Sequence, residues 1–291
     1  MKKISIIADS YSGISQQEAS ELGMKVIPMP FYCQDNCYYE GVSMNREEFF
    51  RLFNAGEKIT TSQLSPETVM DAWREALKES DAVLYFPLSS GLSGSCQTAM
   101  AFAQDEEFEG RVFVVDHGRI STPLYCTILD AIELIEKGLD AGQIREILEE
   151  EREQMSVYLA VETLEPLKRG GRITSASAAL GTLLNIKPVL SLGVGVLDVC
   201  QKVRSMKKAR KTMLELIRED MDTKFAEYLK NGELKLLAAT SADEETTRGW
   251  IEEIQEAFPG MEVTCKFLTL GVASHVGEGA LGVGCACHHA R

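Results

Sequence analysis

Along the first half of the chain, short apolar runs alternate with stretches of helical periodicity. The runs at 3–8 (KISIIA), 24–29 (MKVIPM), 81–88 (DAVLYFPL) and 111–116 (RVFVVD) have the length and continuity of buried strands. Between them, 66–79 (PETVMDAWREALKE), 93–104 and 122–137 repeat apolar residues three and four positions apart, which predicts helices. Ser65 followed by Pro66 suits an N-cap and first helical position. Strands alternating with helices predict βαβ units around a parallel sheet.

The pattern changes near the middle. Residues 140–155 (DAGQIREILEEEREQM) predict a polar helix with its acidic run toward water, and this helix is the best place for a domain boundary. Beyond it come a strand at 156–161 (SVYLAV), a glycine-rich bend at 169–172 and a further apolar stretch. A long helix is expected over about 205–230, then a strand at 234–240, a helix at 243–257 and a strand at 262–268. The expected architecture is an N-terminal parallel-sheet α/β/α domain over 1–153 and a C-terminal α+β domain over 154–291 with its own sheet. No internal repeat or low-complexity linker interrupts it.

Composition narrows the function. The chain has 291 residues and a formal net charge of −14, with 30 Lys+Arg against 44 Asp+Glu. That balance argues against general nucleic-acid binding, which needs many phosphate-neutralising cations, and against broad adhesion to anionic membranes. The longest apolar stretch, 181–199, is interrupted by Lys187, Pro188 and Asp198, so no integral membrane segment is expected. The start, MKKISIIAD, reaches Asp9 too soon for a signal-peptide core, and the chain reads as cytoplasmic. Eight cysteines are scattered without C-x-x-C spacing, as free thiols in a reducing compartment would be. Only the tail, with Cys285, Cys287, His288 and His289, resembles a metal-binding cluster; it reads as a frayed terminus, and no metal is expected.

Candidate chemistry gathers in four places. In FPLSSGLSGSCQTA (86–99) an apolar strand runs into Ser89, Ser90, Ser93 and Ser95 where a helix begins. Hydroxyls and unpaired backbone N–H groups there, beyond the strand's carboxyl end, suit an anionic head group. One serine would suffice as a cap. GLSGS (91–95) nearly matches the nucleophile elbow G-x-S-x-G, but Ser95 occupies the position that wants glycine. A triad of Ser93, Asp116 and His275 is conceivable, so a serine esterase using Ser93 is the alternative, ranked below anion binding.

The second place is ITTSQLSPE (59–67), where Thr61, Ser62 and Gln63 precede the helix opened by Ser65–Pro66. The third, 270–284, contains Gly277, Gly279 and Gly282 at dinucleotide-fingerprint spacing, but too little chain follows for a βαβ unit. Cofactor binding is rejected, leaving His275 in a glycine-rich loop where backbone can approach a ligand. Last come two basic islands in an acidic protein: Lys168, Arg169 and Arg172 around a glycine pair, and KVRSMKKARK (202–211) with Arg204, which is expected to open a helix against its dipole.

In sequence order, TSQLSP (61–66), PLSSGLSGSCQTA (87–99), VVDH (114–117), LKRGGRI (167–173), GTLLNIKPVL (181–190), KVRSMKKA (202–209) and HVGEGALGV (275–283) follow the DegV family. The chain resembles that family from IADS (7–10) almost to its end. The resemblance implies a two-domain bacterial fatty-acid-binding protein with the lipid between its domains. Some members present the lipid to an ATP-dependent fatty-acid kinase subunit that makes acyl phosphate, a phospholipid precursor. It implies that Thr61 and Ser93 hydrogen-bond the carboxylate, with Ser62 assisting and His275 beside it. Arg172 and Arg204 fall in motifs near the head group and the kinase-facing surface. No cofactor and no catalytic residue is implied. Physically, burial of an acyl chain contributes about 0.8 kcal/mol per methylene, so affinity would come from the tail and orientation from the head-group contacts.

Overall fold

The computed structural model describes residues 3–178, 186–195 and 197–288. The DegV-like motif at 181–190 and His289 of the tail therefore lie partly or wholly outside the described residues. The chain divides into two compact units, Met1–Ile120 with Leu124–Glu153, and Ser121–Pro123 with Gln154–Arg291.

The first unit runs β1 (Ile4–Asp9), α1 (Gln16–Glu21), β2 (Lys25–Ile27), β3 (Pro30–Cys33), β4 (Asn36–Tyr39), α2 (Arg46–Asn54) and β5 (Ile59–Thr61). It continues with α3 (Pro66–Ala76), β6 (Ala82–Phe86), α4 (Ser95–Phe102), β7 (Val112–Val114), α5 (Ser121–Glu136) and α6 (Ala141–Glu150). Among the described residues, its main sheet has the order β2-β1-β6-β7, parallel throughout, as strands separated by helices require. Ile7 pairs with Tyr85 and Ala8 with Phe86, which brings the carboxyl ends of β1 and β6 side by side. Ile6, Ala8, Leu84 and Phe86 join Leu124, Ile128 and Ile144 from α5 and α6 in one core cluster. A small antiparallel sheet, β4-β3-β5, covered by α2, departs from the sequence expectation. Its strands hold only three or four residues, too few to display a period, and its packing rests on Phe31, Phe49, Phe50 and Phe53, whose ring centroids lie 5.2–6.4 Å apart, mostly edge to face.

The second unit comprises β8 (Met155–Ala160), α7 (Glu165–Gly170), α8 (Ser175–Ala178), β9 (Lys187–Leu192), β10 (Leu197–Val203), α9 (Met206–Thr223) and α10 (Ala226–Asn231). Then follow β11 (Leu234–Thr240), α11 (Glu244–Ala257), β12 (Val263–Phe267), α12 (Leu270–Val276) and β13 (Leu281–Cys287). Its mixed sheet has the order β10-β9-β8-β13-β11-β12. One face carries Tyr158, Val189, Leu236 and Val283 against Met213 and Ile217 of α9 and Trp250 and Ile254 of α11. The helix expected over 205–230 is two helices: the chain turns at Phe225, whose φ of −117° and ψ of 18° leave the helical region while its ring stays in the core. The bend expected at 169–172 is the end of α7, closed by Gly171 at φ 66°.

Among the described residues no helix is long and apolar enough to cross a membrane.

Candidate functional site

The serine loop of the first unit is held from below by a buried carboxylate. Strand β6 is buried along its whole length and stops at Pro87. Leu88 N then donates to Asp9 Oδ2 at 2.6 Å, and Tyr11 N to Asp9 Oδ1 at 3.0 Å. Asp9 is 1% exposed; burial pushes its carboxyl up to about 7, against the lowering effect of the two backbone N–H groups. The next point of attachment is Ser90, whose Oγ donates to Asp116 Oδ2 at 2.9 Å. Arg152 Nη1 bonds the same oxygen at 3.0 Å. Leu92 N and Ser93 N both donate to Ser89 O, folding the loop back on itself. Ser93 Oγ lies 2.7 Å from Ser95 Oγ and accepts from Ser95 N at 3.2 Å. Helix α4 opens on Gly94 with no side-chain cap, so none of the four serines serves as its N-cap.

The threonine loop lies nearby in the same unit. Thr61 closes β5 opposite Phe31, and the exposed Ser62 donates from Oγ to Gln63 O at 3.1 Å. Ser65 accepts from Thr68 N at 3.1 Å, the expected N-cap of α3, with Pro66 next to it. Gln63 and Leu64 from this loop and Ser95 from the serine loop line one narrow cleft of about 10 Å³. Its remaining wall is largely apolar, with Met29, Tyr85 and Phe102, and Asp9 also lines it. The structure thus brings the Thr61 and Ser93 loops to a shared cleft.

His275 belongs to the second unit and lies in the last turn of α12, which corrects the expectation of a glycine-rich loop. The Leu-Gly-Val-Ala-Ser run before it is apolar enough to pack as a helix, with Leu270 and Ala273 fully buried. The glycines that suggested a loop begin only at Gly277, and Gly282 already lies in β13. The His275 imidazole is half-buried, and burial first, then the Arg172 cation, push its pKa down to about 4. Arg172 Nη1 donates to Gly170 O at the end of α7. Arg172 and Arg204 are not brought together: Leu197 N bonds Arg172 O at one end of β10 and Arg204 follows the other end. Along a strand that separation is roughly 20 Å.

Nothing in this geometry supports an esterase. Ser93 Oγ pairs with another serine, and Asp116 is engaged by Ser90 and Arg152. His117 is fully buried, its Nε2–H donating to Pro87 O at 2.7 Å while Nδ1 accepts from Arg119 N at 2.9 Å. Burial, above all, pushes its pKa down to about 4 and keeps the ring neutral. Among the described residues no group of His, Cys, Asp or Glu could hold a metal, and Cys285 and Cys287 are buried in β13. Sequence reasoning missed Asp9 and the Asp116–Arg152 pair. The signal available for Asp9 was its place at the end of the first strand of a parallel sheet, where side chains meet the ligand edge.

The model of the DegV family, described as "Uncharacterised protein, DegV family", matches residues 3–287. A DegV domain-containing protein of Deinococcus radiodurans is 32% identical over 283 residues, covering 96% of this chain and 97% of its own. A DegV family protein of Thermus thermophilus, solved as a study of fatty-acid binding, is 35% identical at a TM-score of 0.87, covering 98% of this chain and 99% of its own. DegV of Bacillus subtilis, described as a fatty acid binding protein, is 28% identical at a TM-score of 0.85, covering 99% of this chain and all of its own.

Proposed function

We propose that this chain, which belongs to the DegV family, binds a long-chain fatty acid by its carboxylate and apolar tail. The observation that carries the reading is the pairing of two hydroxyl-bearing loops over one largely apolar cleft, with serines that no helix cap consumes. Similar proteins of Thermus thermophilus and Bacillus subtilis are fatty-acid binders by description. Thr61 and Ser93 supply hydroxyl donors to the carboxylate, Ser62 shapes the Thr61 turn, and His275 adds a neutral imidazole from the second unit. A neutral ring at ordinary pH donates one hydrogen bond without a full ion pair, which orients the head group and leaves the tail to set affinity. The bound carboxylate is offered to an ATP-dependent kinase that forms acyl phosphate, this chain contributing no catalytic group. Arg172, Arg204 and the exposed lysines 207, 208 and 211 of α9 are the partner-facing surface in an otherwise acidic protein.

Purified protein, extracted with organic solvent and examined by mass spectrometry, is expected to release a long-chain fatty acid in about equimolar amount. Thr61→Ala combined with Ser93→Ala should weaken fatty-acid binding by roughly tenfold or more, the value of one or two hydrogen bonds to a charged group. Protein that is empty and also refuses added fatty acid would sink the reading, and covalent labelling of Ser93 by a fluorophosphonate would point to esterase chemistry instead.

A further inference from the structure

The two adjacent glycines at the end of α7 serve different purposes. Gly171 has φ 66° and open space around its α-carbon, so it is glycine for its backbone conformation. Gly170 has helical backbone that any residue adopts, and glycine is a poorer helix residue than alanine. Its reason is steric. A Cβ built on Gly170 would stand 2.1 Å from His275 Nδ1, 2.8 Å from Cε1 and 3.3 Å from Cγ. All three nearest atoms belong to one imidazole, whose Nδ1 edge lies flat against the space where a side chain would be.

Resting on the proposal that His275 contacts the fatty-acid head group, we infer that Gly170 is a positioning residue for that contact: the absence of a side chain at 170 is the socket in which the His275 ring is seated. The same turn fixes the neighbouring charge, because Arg172 Nη1 is held by the carbonyl of Gly170 itself. One residue therefore sets both the place of the imidazole and the cation beside it. A methyl at 170 cannot be absorbed by a shift of a flexible chain end, since what it meets is a rigid ring. The ring must rotate about χ1 out of the socket, and so out of the position in which burial and Arg172 lower its pKa. The Nδ1 edge toward Gly170 leaves Nε2 as the nitrogen farther from α7, and it is the atom assigned to the carboxylate.

The test compares wild type, Gly170→Ala, His275→Ala and the double variant, each stripped of lipid, by NMR titration of the imidazoles and by fatty-acid affinity. The His275 signal is assigned by its loss in His275→Ala. In Gly170→Ala the His275 pKa should rise from about 4 toward 6.5, and fatty-acid affinity should fall by about as much as in His275→Ala. Adding Gly170→Ala to His275→Ala should change affinity less than about twofold, since residues that act through one group are not additive. An imidazole whose titration in Gly170→Ala is unchanged from wild type overturns the socket, independently of whether lipid binds. Undiminished binding by His275→Ala overturns the head-group role and the positioning role with it, while the titration still reports the packing. If Gly170→Ala does not fold, the double variant decides. Recovery of folding once the ring is removed supports the collision, and a double variant as unstable as the single one overturns it.

Discussion

Asp9 shows how a single residue can connect strand, loop and site. Its two oxygens accept from Tyr11 and Leu88, so one carboxylate ties the end of β1 to the start of the serine loop. The cost of burial appears in its pKa, which is raised to about 7 from 3.8. A raised carboxyl contributes stability that is fully present below its unfolded pKa and lost as pH rises through the folded one, here from about 3.8 to about 7. Asp9→Asn does not titrate, so its stability relative to wild type should improve steadily between pH 4 and pH 7, as read by thermal unfolding at each pH. His117 and His275 are both held near 4, titrate in both proteins and drop out of the difference. A gap between the two proteins that stays constant across that range would show that Asp9 is an ordinary ionised carboxylate. Thr61, Ser62, Ser93 and His275 could all be picked out as polar residues in suggestive settings. Asp9 could not, because the partner that ties it to the serine loop is a backbone group 79 residues away.

At the scale of elements, β13 is the most constrained strand. It lies between β8 and β11, antiparallel to both, and its Gly282 and Gly284 face neighbours that leave little room. A Cβ at Gly284 would meet Ser156 O at 2.8 Å and Val157 Cγ2 at 3.0 Å, whereas at Gly282 the nearest atoms are at 3.3 Å. Gly284→Ala is therefore expected to destabilise the protein by about 1–3 kcal/mol, the usual range for overpacking, and Gly282→Ala by clearly less. Denaturant unfolding of the two variants checks the order; equal effects would mean that the strand shifts freely. Of the three glycines at nucleotide-fingerprint spacing, only Gly282 serves strand packing, while Gly277 and Gly279 hold positive φ in the turn before β13. The strands of the parallel sheet were legible because each lies within a continuous apolar run of six to eight residues, and helices α3, α5 and α11 because each is long enough to repeat its period. The β4-β3-β5 sheet and helix α12 were not, since a three- or seven-residue element offers at most two turns of pattern and takes its conformation from what it packs against.

Across the whole chain, a net charge of −14 coexists with a local concentration of cations on and before α9. Lys202, Arg204, Lys207, Lys208 and Lys211 are exposed, while Arg210 turns inward to Glu253 at 3.1 Å. Placing cations at a helix N-terminus works against the dipole, a local disadvantage that a docking role would explain. Reversing Arg204, Lys207, Lys208 and Lys211 to glutamate should cut acyl-phosphate formation with a reconstituted fatty-acid kinase by roughly tenfold or more, and leave fatty-acid retention almost unchanged, because rim charges act on encounter more than on a buried ligand. Full kinase output from that variant would move the partner surface elsewhere.

The sequence by itself determined what depends on short-range pattern. Apolar period set most strands and helices, the Ser65–Pro66 pair set the start of α3, and the order of motifs identified the family. Tertiary structure decided what depends on approach between distant segments. It tied Asp9 to Leu88, placed the Thr61 and Ser93 loops over one cleft, and seated His275 against a glycine more than a hundred positions earlier. The reason is physical: periodicity records which face of an element is buried, but a hydrogen bond or a steric socket exists only once two remote backbones have been brought within a few ångströms of each other.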